Sequence, residues 1–192
     1  MLKAAPPARL SRLALAAVAL AATAGDWRPT PALAQADRPR TMAVFPVELA
    51  DTSGEASPRP GRDGQIAATT GELAALLEGS GKYRRVDLAP IRDRLAAAGP
   101  LDRCGGCWLG MARDAGAELA VVIIVHKMST LISSMHVWMV DVADRGVIRN
   151  GSVSLRGDTD EAWRRAANYL ARNVLLNEAA SHPSLSSPFP GG

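Results

Sequence analysis

Residues 119–125, LAVVIIV, are apolar at every position and rich in β-branched side chains. A half-exposed strand would interleave polar residues, so this run predicts a strand buried on both faces, at the centre of a sheet. Just beyond it, His136, Trp138, Val140 and Val142 alternate with Val137, Met139 and Asp141, the period of a strand with one wetter face. Ala143-Asp144-Arg145-Gly146 then reads as a turn, and residues 147–155 as the return arm of a hairpin. Next comes a helix opened by Asp158 as cap with Glu161 three residues later, a capping-box pattern, with Trp163, Ala167, Leu170 and Val174 on one face.

Upstream of the central run, Thr41 to Ala50, TMAVFPVELA, alternates with a period of two and predicts another strand. Pro46 cannot donate to a ladder, which favours an edge or bulged position for it. The stretch 51–64, DTSGEASPRPGRDG, is a loop by composition. Ile66, Thr70, Leu73 and Leu77 place a helix over about 65–78, ended by Gly79-Ser80-Gly81. A short strand at 83–88, a helix begun by Pro90 and a third helix over 107–115 complete the order. The sum is an α/β (α+β) domain over residues 41–177, one mixed sheet of about five strands with helices packed on it.

The first residues carry Lys3, Arg9 and Arg12 ahead of an apolar run at 13–24, too short for the ~20 residues of a membrane span. Ala32-Leu33-Ala34 offers a small-x-small cleavage pattern, so residues 1–34 read as a cleavable signal peptide and 35–40 as a polar lead. The tail, 178–192, is Ser-, Pro- and Gly-rich and reads as disordered. Residues 1–34 hold four of the 22 basic residues and one of the 19 acids, which leaves 18 of each in the remainder. The expected mature protein is thus near neutral, periplasmic or secreted, with no basic surplus to suggest a nucleic-acid partner and no membrane span after cleavage.

Cys104-Gly105-Gly106-Cys107 is the one chemically pointed constellation. Two glycines let the backbone close the small ring, and an exported compartment favours the disulfide. One reading is a local staple at the start of the third helix. The other is a redox dithiol, with Cys107 near a helix N-terminus that favours a thiolate. The buried strand that usually precedes a thioredoxin-like motif is missing, since Pro100-Leu101-Asp102-Arg103 stands there. No second Cys pair completes a metal site, and Trp108 occupies the place of a haem-attachment histidine. His126 and His136 flank a turn and could meet across a hairpin, although no carboxylate at fixed spacing joins them; His182 lies in the tail.

Asp158, Asp160 and Glu161 resemble paired carboxylates for acid–base work, but capping of the last helix explains all three. Arg156-Gly157-Asp158 is accounted for in the same way, as a strand end running into a helix cap. Trp108, Trp138 and Trp163 suit core packing better than an aromatic patch. No Gly-x-Ser-x-Gly, phosphate loop or His-Glu-x-x-His occurs, and no cofactor is indicated.

Four stretches, MAVFPVELADTS, GKYRRVDLAPI, CGGCWLGMARDAGAELAVVIIVHKMSTLI and VSLRGDTDEAWRRAANYL, resemble a family of exported proteobacterial proteins of unknown function, over about Thr41 to Leu176. More distantly, the scheme resembles the TolB N-terminal domain and the CsgG-like envelope assembly domain. There the Gly116-Ala117-Glu118 turn before the central strand and Val140-Asp141-Val142-Ala143 have counterparts. The lipobox cysteine, transmembrane hairpin and propeller of those proteins have none. The resemblance implies a non-enzymatic envelope module that binds another cell-envelope protein, with no catalytic residues to carry over. A small periplasmic thiol-disulfide oxidoreductase using Cys104 and Cys107 is the alternative.

Overall fold

The run that opened the sequence reading becomes β4 (Leu119–Lys127), the strand on which both halves of the sheet are built. The structure is a computed structural model that describes residues 38–55 and 59–177. The expected signal peptide over 1–34 and the expected tail over 178–192, with His182, lie outside the described residues.

On one side of β4, β1 (Arg40–Val44) runs parallel to it, with Met42 opposite Leu119 and Val44 opposite Val121. Further along the same side, β2 (Glu48–Asp51) pairs in parallel with Ile124–Lys127. A short β3 (Tyr83–Arg85) lies parallel outside β1. On the other side, β5 (Ile132–Asp141) and β6 (Val147–Arg156) follow antiparallel as a meander. The result is one mixed six-stranded sheet in the order β3-β1-β4-β5-β6, with β2 also on β4, and the fold is α+β.

The sequence reads Thr41–Ala50 as one strand, with Pro46 at an edge or bulged position. The structure instead splits this stretch at Pro46, and β1 lies inside the sheet between β3 and β4. The break is possible because its neighbours find other partners. Phe45 N–H donates to the Val121 carbonyl at 3.0 Å, and Val47 N–H to Thr70 Oγ1 at 3.0 Å. Proline has no N–H to satisfy, so the interruption leaves no orphaned donor.

Helices cover both faces. Alternate residues of β4 (Leu119, Val121, Ile123, Val125) join Met135, Val137 and Met139 of β5 on one face. Leu73 and Leu77 of α1 (Arg62–Gly79) and Trp163 and Leu170 of α4 (Asp160–Leu170) close it. The intervening residues Ala120, Val122 and Ile124 pack with Phe45 and Val140 on the other face. Ile91, at the 3-10 turn that opens α2 (Arg92–Ala97), and Trp108, Leu109 and Met111 of α3 (Cys107–Asp114) cover that face. The every-position apolar character of LAVVIIV is therefore what two cores require of one shared strand.

A π-type turn, Ala171–Leu175, continues α4 and brings Val174 onto Gly151 of β6. A Cβ at Gly151 would stand 2.9 Å from both Val174 methyls, so glycine is what lets the helix end lie flat on the strand.

Candidate functional site

The disulfide corner is built from the loop ahead of α3. Gly105 and Gly106 both adopt positive φ, 62° and 82°, which a side chain would oppose, and the chain thereby doubles back within four residues. The sulfurs of Cys104 and Cys107 are bonded, with Cα atoms 5.5 Å apart. Both cysteines are half-buried against the core of the second face. The loop before them is tied to β2, where the Glu48 carboxylate accepts from Leu101 N–H at 2.6 Å. Burial pushes the Glu48 carboxyl above its ordinary value, opposed by that backbone bond. A four-residue ring removes little unfolded-state freedom. Replacing both cysteines with serine is therefore expected to cost at most about 2 kcal/mol in urea unfolding. A loss well above that would assign the pair more than a local role.

His126 and His136 do face the same side of the sheet, on β4 and β5, in diagonal register: His126 is opposite Ser134, and His136 opposite Ile124. His126 Nε2 lies 3.2 Å from Thr52 Oγ1, and His136 Nε2 lies 2.9 Å from Ser134 Oγ. The His136 ring stacks on Trp138 at 5.8 Å. Burial, and secondarily the His126 charge, push the His136 imidazole below its ordinary value. No group of three or more His, Cys, Asp or Glu able to hold a metal occurs among the described residues.

The carboxylates near α4 separate rather than gather. Thr159, not Asp158, is the cap, its hydroxyl accepting from Ala162 N–H at 3.2 Å. Glu161 pairs with Arg164 and with Arg165 at 2.7 Å on the helix surface, and Asp160 is exposed. Asp158 instead turns inward to Arg62 of α1, which donates from both terminal nitrogens, Nη1 at 2.8 Å from Oδ1. Trp163 Nε1 donates to the same Oδ1 at 3.1 Å, and the guanidinium lies 5.2 Å from the centre of the Trp163 ring. Gln65 Oε1 accepts from Arg62 at 2.6 Å. Lys127, at the end of β4, reaches Glu55 at 2.8 Å, Asp51 at 3.3 Å and Asp158 at 4.0 Å.

The side chains of Arg62, Lys127 and Asp158 are all about nine-tenths buried, so these charges interact far more strongly than surface pairs. The Arg62 hydrogen bond holds the Asp158 carboxyl below its ordinary value, and the Glu55 bond raises the Lys127 ammonium. This cluster joins α1, β4, α4 and the loop after β2. Sequence reading missed it because Arg62 and Asp158 are 96 residues apart and a local capping pattern already accounted for Asp158.

The three tryptophans divide. Trp108 and Trp163 are fully buried on opposite faces, and Trp138 is half-buried beside His136.

A different kind of surface surrounds the last strand. Met128, Leu131 and Ile132, at the β4–β5 turn, are 47%, 71% and 57% exposed, and Tyr169 of α4 is 51% exposed. A groove of about 410 Å³ runs between α4 and β6, lined by Val153, Leu155, Arg156, Arg165, Ala166 and Tyr169 among others. A second, of about 540 Å³, lies between Leu131 and Ile132 and residues 154–157. The two share Ser154, Leu155 and Arg156, so the apolar rim is continuous across the end of β6.

One mixed sheet with a helical layer on each face, carrying an apolar rim beside its last strand, defines the class: an α+β domain. The chain belongs to the family described as "Protein of unknown function (DUF2380)", whose model matches residues 40–175. Solved structures similar to it include the LpoB C-terminal domain from Salmonella enterica, at 16% identity and a TM-score of 0.47, covering 62% of this chain and 84% of that one. Lipoprotein GNA1162 from Neisseria meningitidis is similar at 17% identity and a TM-score of 0.45, covering 77% of this chain and 100% of that one. TolB from Acinetobacter baumannii is similar at 15% identity and a TM-score of 0.40, covering 71% of this chain and 29% of that one. No curated protein matches the chain at a significant level. Among the described residues no helix is long and apolar enough to cross a membrane.

Proposed function

We propose that this protein is a periplasmic or secreted accessory module, without enzymatic activity of its own, that binds another cell-envelope protein. The observation that carries the reading is the rim of Met128, Leu131, Ile132 and Tyr169. Large apolar side chains exposed together cost solubility unless a partner covers them, and such patches mark interaction sites. The export signal read in residues 1–34 supports the compartment. The buried charge cluster serves as an internal clamp, since its members are occupied with one another. The disulfide serves as a staple that holds the left-handed Gly105-Gly106 turn at the start of α3.

Cross-linking in intact cells, followed by recovery of the tagged protein, is expected to return the same envelope protein in each repeat. Leu131→Asp is expected to lower that recovery at least tenfold while leaving the fold intact, because the side chain is 71% exposed. Repeated recovery of nothing specific would overturn the reading.

A further inference from the structure

β6 ends the sheet, and its outer edge has no backbone partner among the described residues. Alternate residues of an outer strand turn N–H and C=O away from the sheet, a template for one more strand. Natural edges are usually guarded by a bulge, a proline or brevity. β6 is ten residues long and contains no proline, and its one irregularity lies at the far end, opposite Met139 and Val140.

The groove beside it has the shape that strand addition needs. Its lining includes four consecutive β6 residues, Val153, Ser154, Leu155 and Arg156. A pocket over one face of a strand meets alternate residues; one running along the hydrogen-bonding edge meets them in succession. Val153 and Leu155 share the face that α4 covers, Tyr169 of α4 stands over it, and Leu131 lies beside the end of β6.

The charge on the walls selects the occupant. Arg156 and Arg165 line the groove and no acid does. Arg156 makes no ion pair among the described residues, and the nearby Glu161 is already held by Arg164 and Arg165. A second copy of this chain would bring the same arginines to the seam, and like charges placed opposite each other are destabilising.

We propose that β6 takes an added strand from the partner: an extended segment in which apolar residues alternate with acidic ones, the apolar side chains filling the grooves and the acids meeting Arg156 and Arg165. This deepens the binding-module reading and rests on it.

The test uses the full chain and labelled peptide probes, acetyl-Glu-Val-Glu-Val-Glu-Val-amide and its counterpart with lysine for glutamate, read by fluorescence anisotropy and amide exchange. The acidic probe is expected to bind at least tenfold more tightly than the basic one and to slow exchange at residues 153–156. The preference is expected to reverse on R156E/R165E. N-methylation of alternate probe amides in one of the two registers is expected to cost at least tenfold, because it removes the ladder donors. Equal binding of both probes, protection confined to another strand, or concentration-dependent protection of β6 without any peptide, which would mean a second copy on the edge, would each overturn the proposal. The in-cell cross-linking separates the two claims. A partner still recovered with R156E/R165E overturns the edge assignment and leaves the binding module standing, whereas no partner even with the wild-type chain overturns the module.

Discussion

Asp158→Ala is expected to lower the free energy of unfolding by about 3–5 kcal/mol, as removal of one member of a buried pair does. The carboxylate accepts from Arg62 and Trp163 and lies within reach of Lys127. Its loss leaves a guanidinium and an indole N–H buried without their acceptor. For a domain whose whole stability is about 5–15 kcal/mol, that is a large share. Urea unfolding followed by tryptophan fluorescence measures it. A loss under about 1 kcal/mol would mean that water screens the cluster in solution as it does an exposed pair.

The same carboxylate fixes a sign for acid. Its folded value is depressed, chiefly by the Arg62 hydrogen bond. The stability it contributes is therefore fully present above the unfolded carboxylate value, about pH 4. It is lost as pH falls through the lower folded value. Asp158→Asn, which removes the titrating charge, is expected to flatten this part of the acid-unfolding curve. An unchanged curve would place the acid sensitivity in other carboxylates.

Trp108→Ala is expected to have a comparable effect, about 3–5 kcal/mol. The indole is 1% exposed, beneath α3, with the Phe45 ring edge-on at 6.4 Å. Truncation leaves a cavity between α3 and the sheet that the short helix cannot close without displacing the Cys104–Cys107 turn. Trp108→Phe, which keeps an aromatic ring in place, is expected to cost less than half as much. Since Trp108 packs in the core of one face and Asp158 bonds to Trp163 in the core of the other, double-mutant cycles between them are expected to show coupling below about 0.5 kcal/mol. A larger coupling would mean that the two cores yield together.

Much of this architecture was legible because it is written in local periodicity. LAVVIIV announced a strand buried on both faces, and the alternation around His136 and Trp138 announced its half-wet neighbour. What escaped was whatever depends on partners distant in the chain. Pro46 suggested an edge or a bulge because a proline breaks a ladder. The chain resumes pairing with the same strand at Glu48, two residues past the proline, helped by Thr70 from α1, and no local pattern can reveal that. Asp158 passed for a helix cap because it stands one residue before the true cap, and its tie to Arg62 closes only in three dimensions. One open edge lies at β6, a strand that looks ordinary in sequence. Its openness comes from being last in the sheet.

The order in which the strands occur along the chain sets the order in which the sheet can form. β4, β5 and β6 are joined by short turns, so their pairing closes small loops and needs nothing from upstream. β1, by contrast, meets β4 at a separation of 77 positions, Met42 to Leu119, and β2 at a similar one. Long-range parallel pairing of this kind is slow, because its entropic cost falls due before its contacts form. The carboxyl-terminal meander is thus the natural nucleus. A chain synthesised amino end first must keep its leading strands, including the oily TMAVF segment, uncommitted until the nucleus arrives. Interruption of synthesis before residue 119 would leave β1 with β3 alone, which makes this interval the period when the protein is most exposed to aggregation and proteolysis.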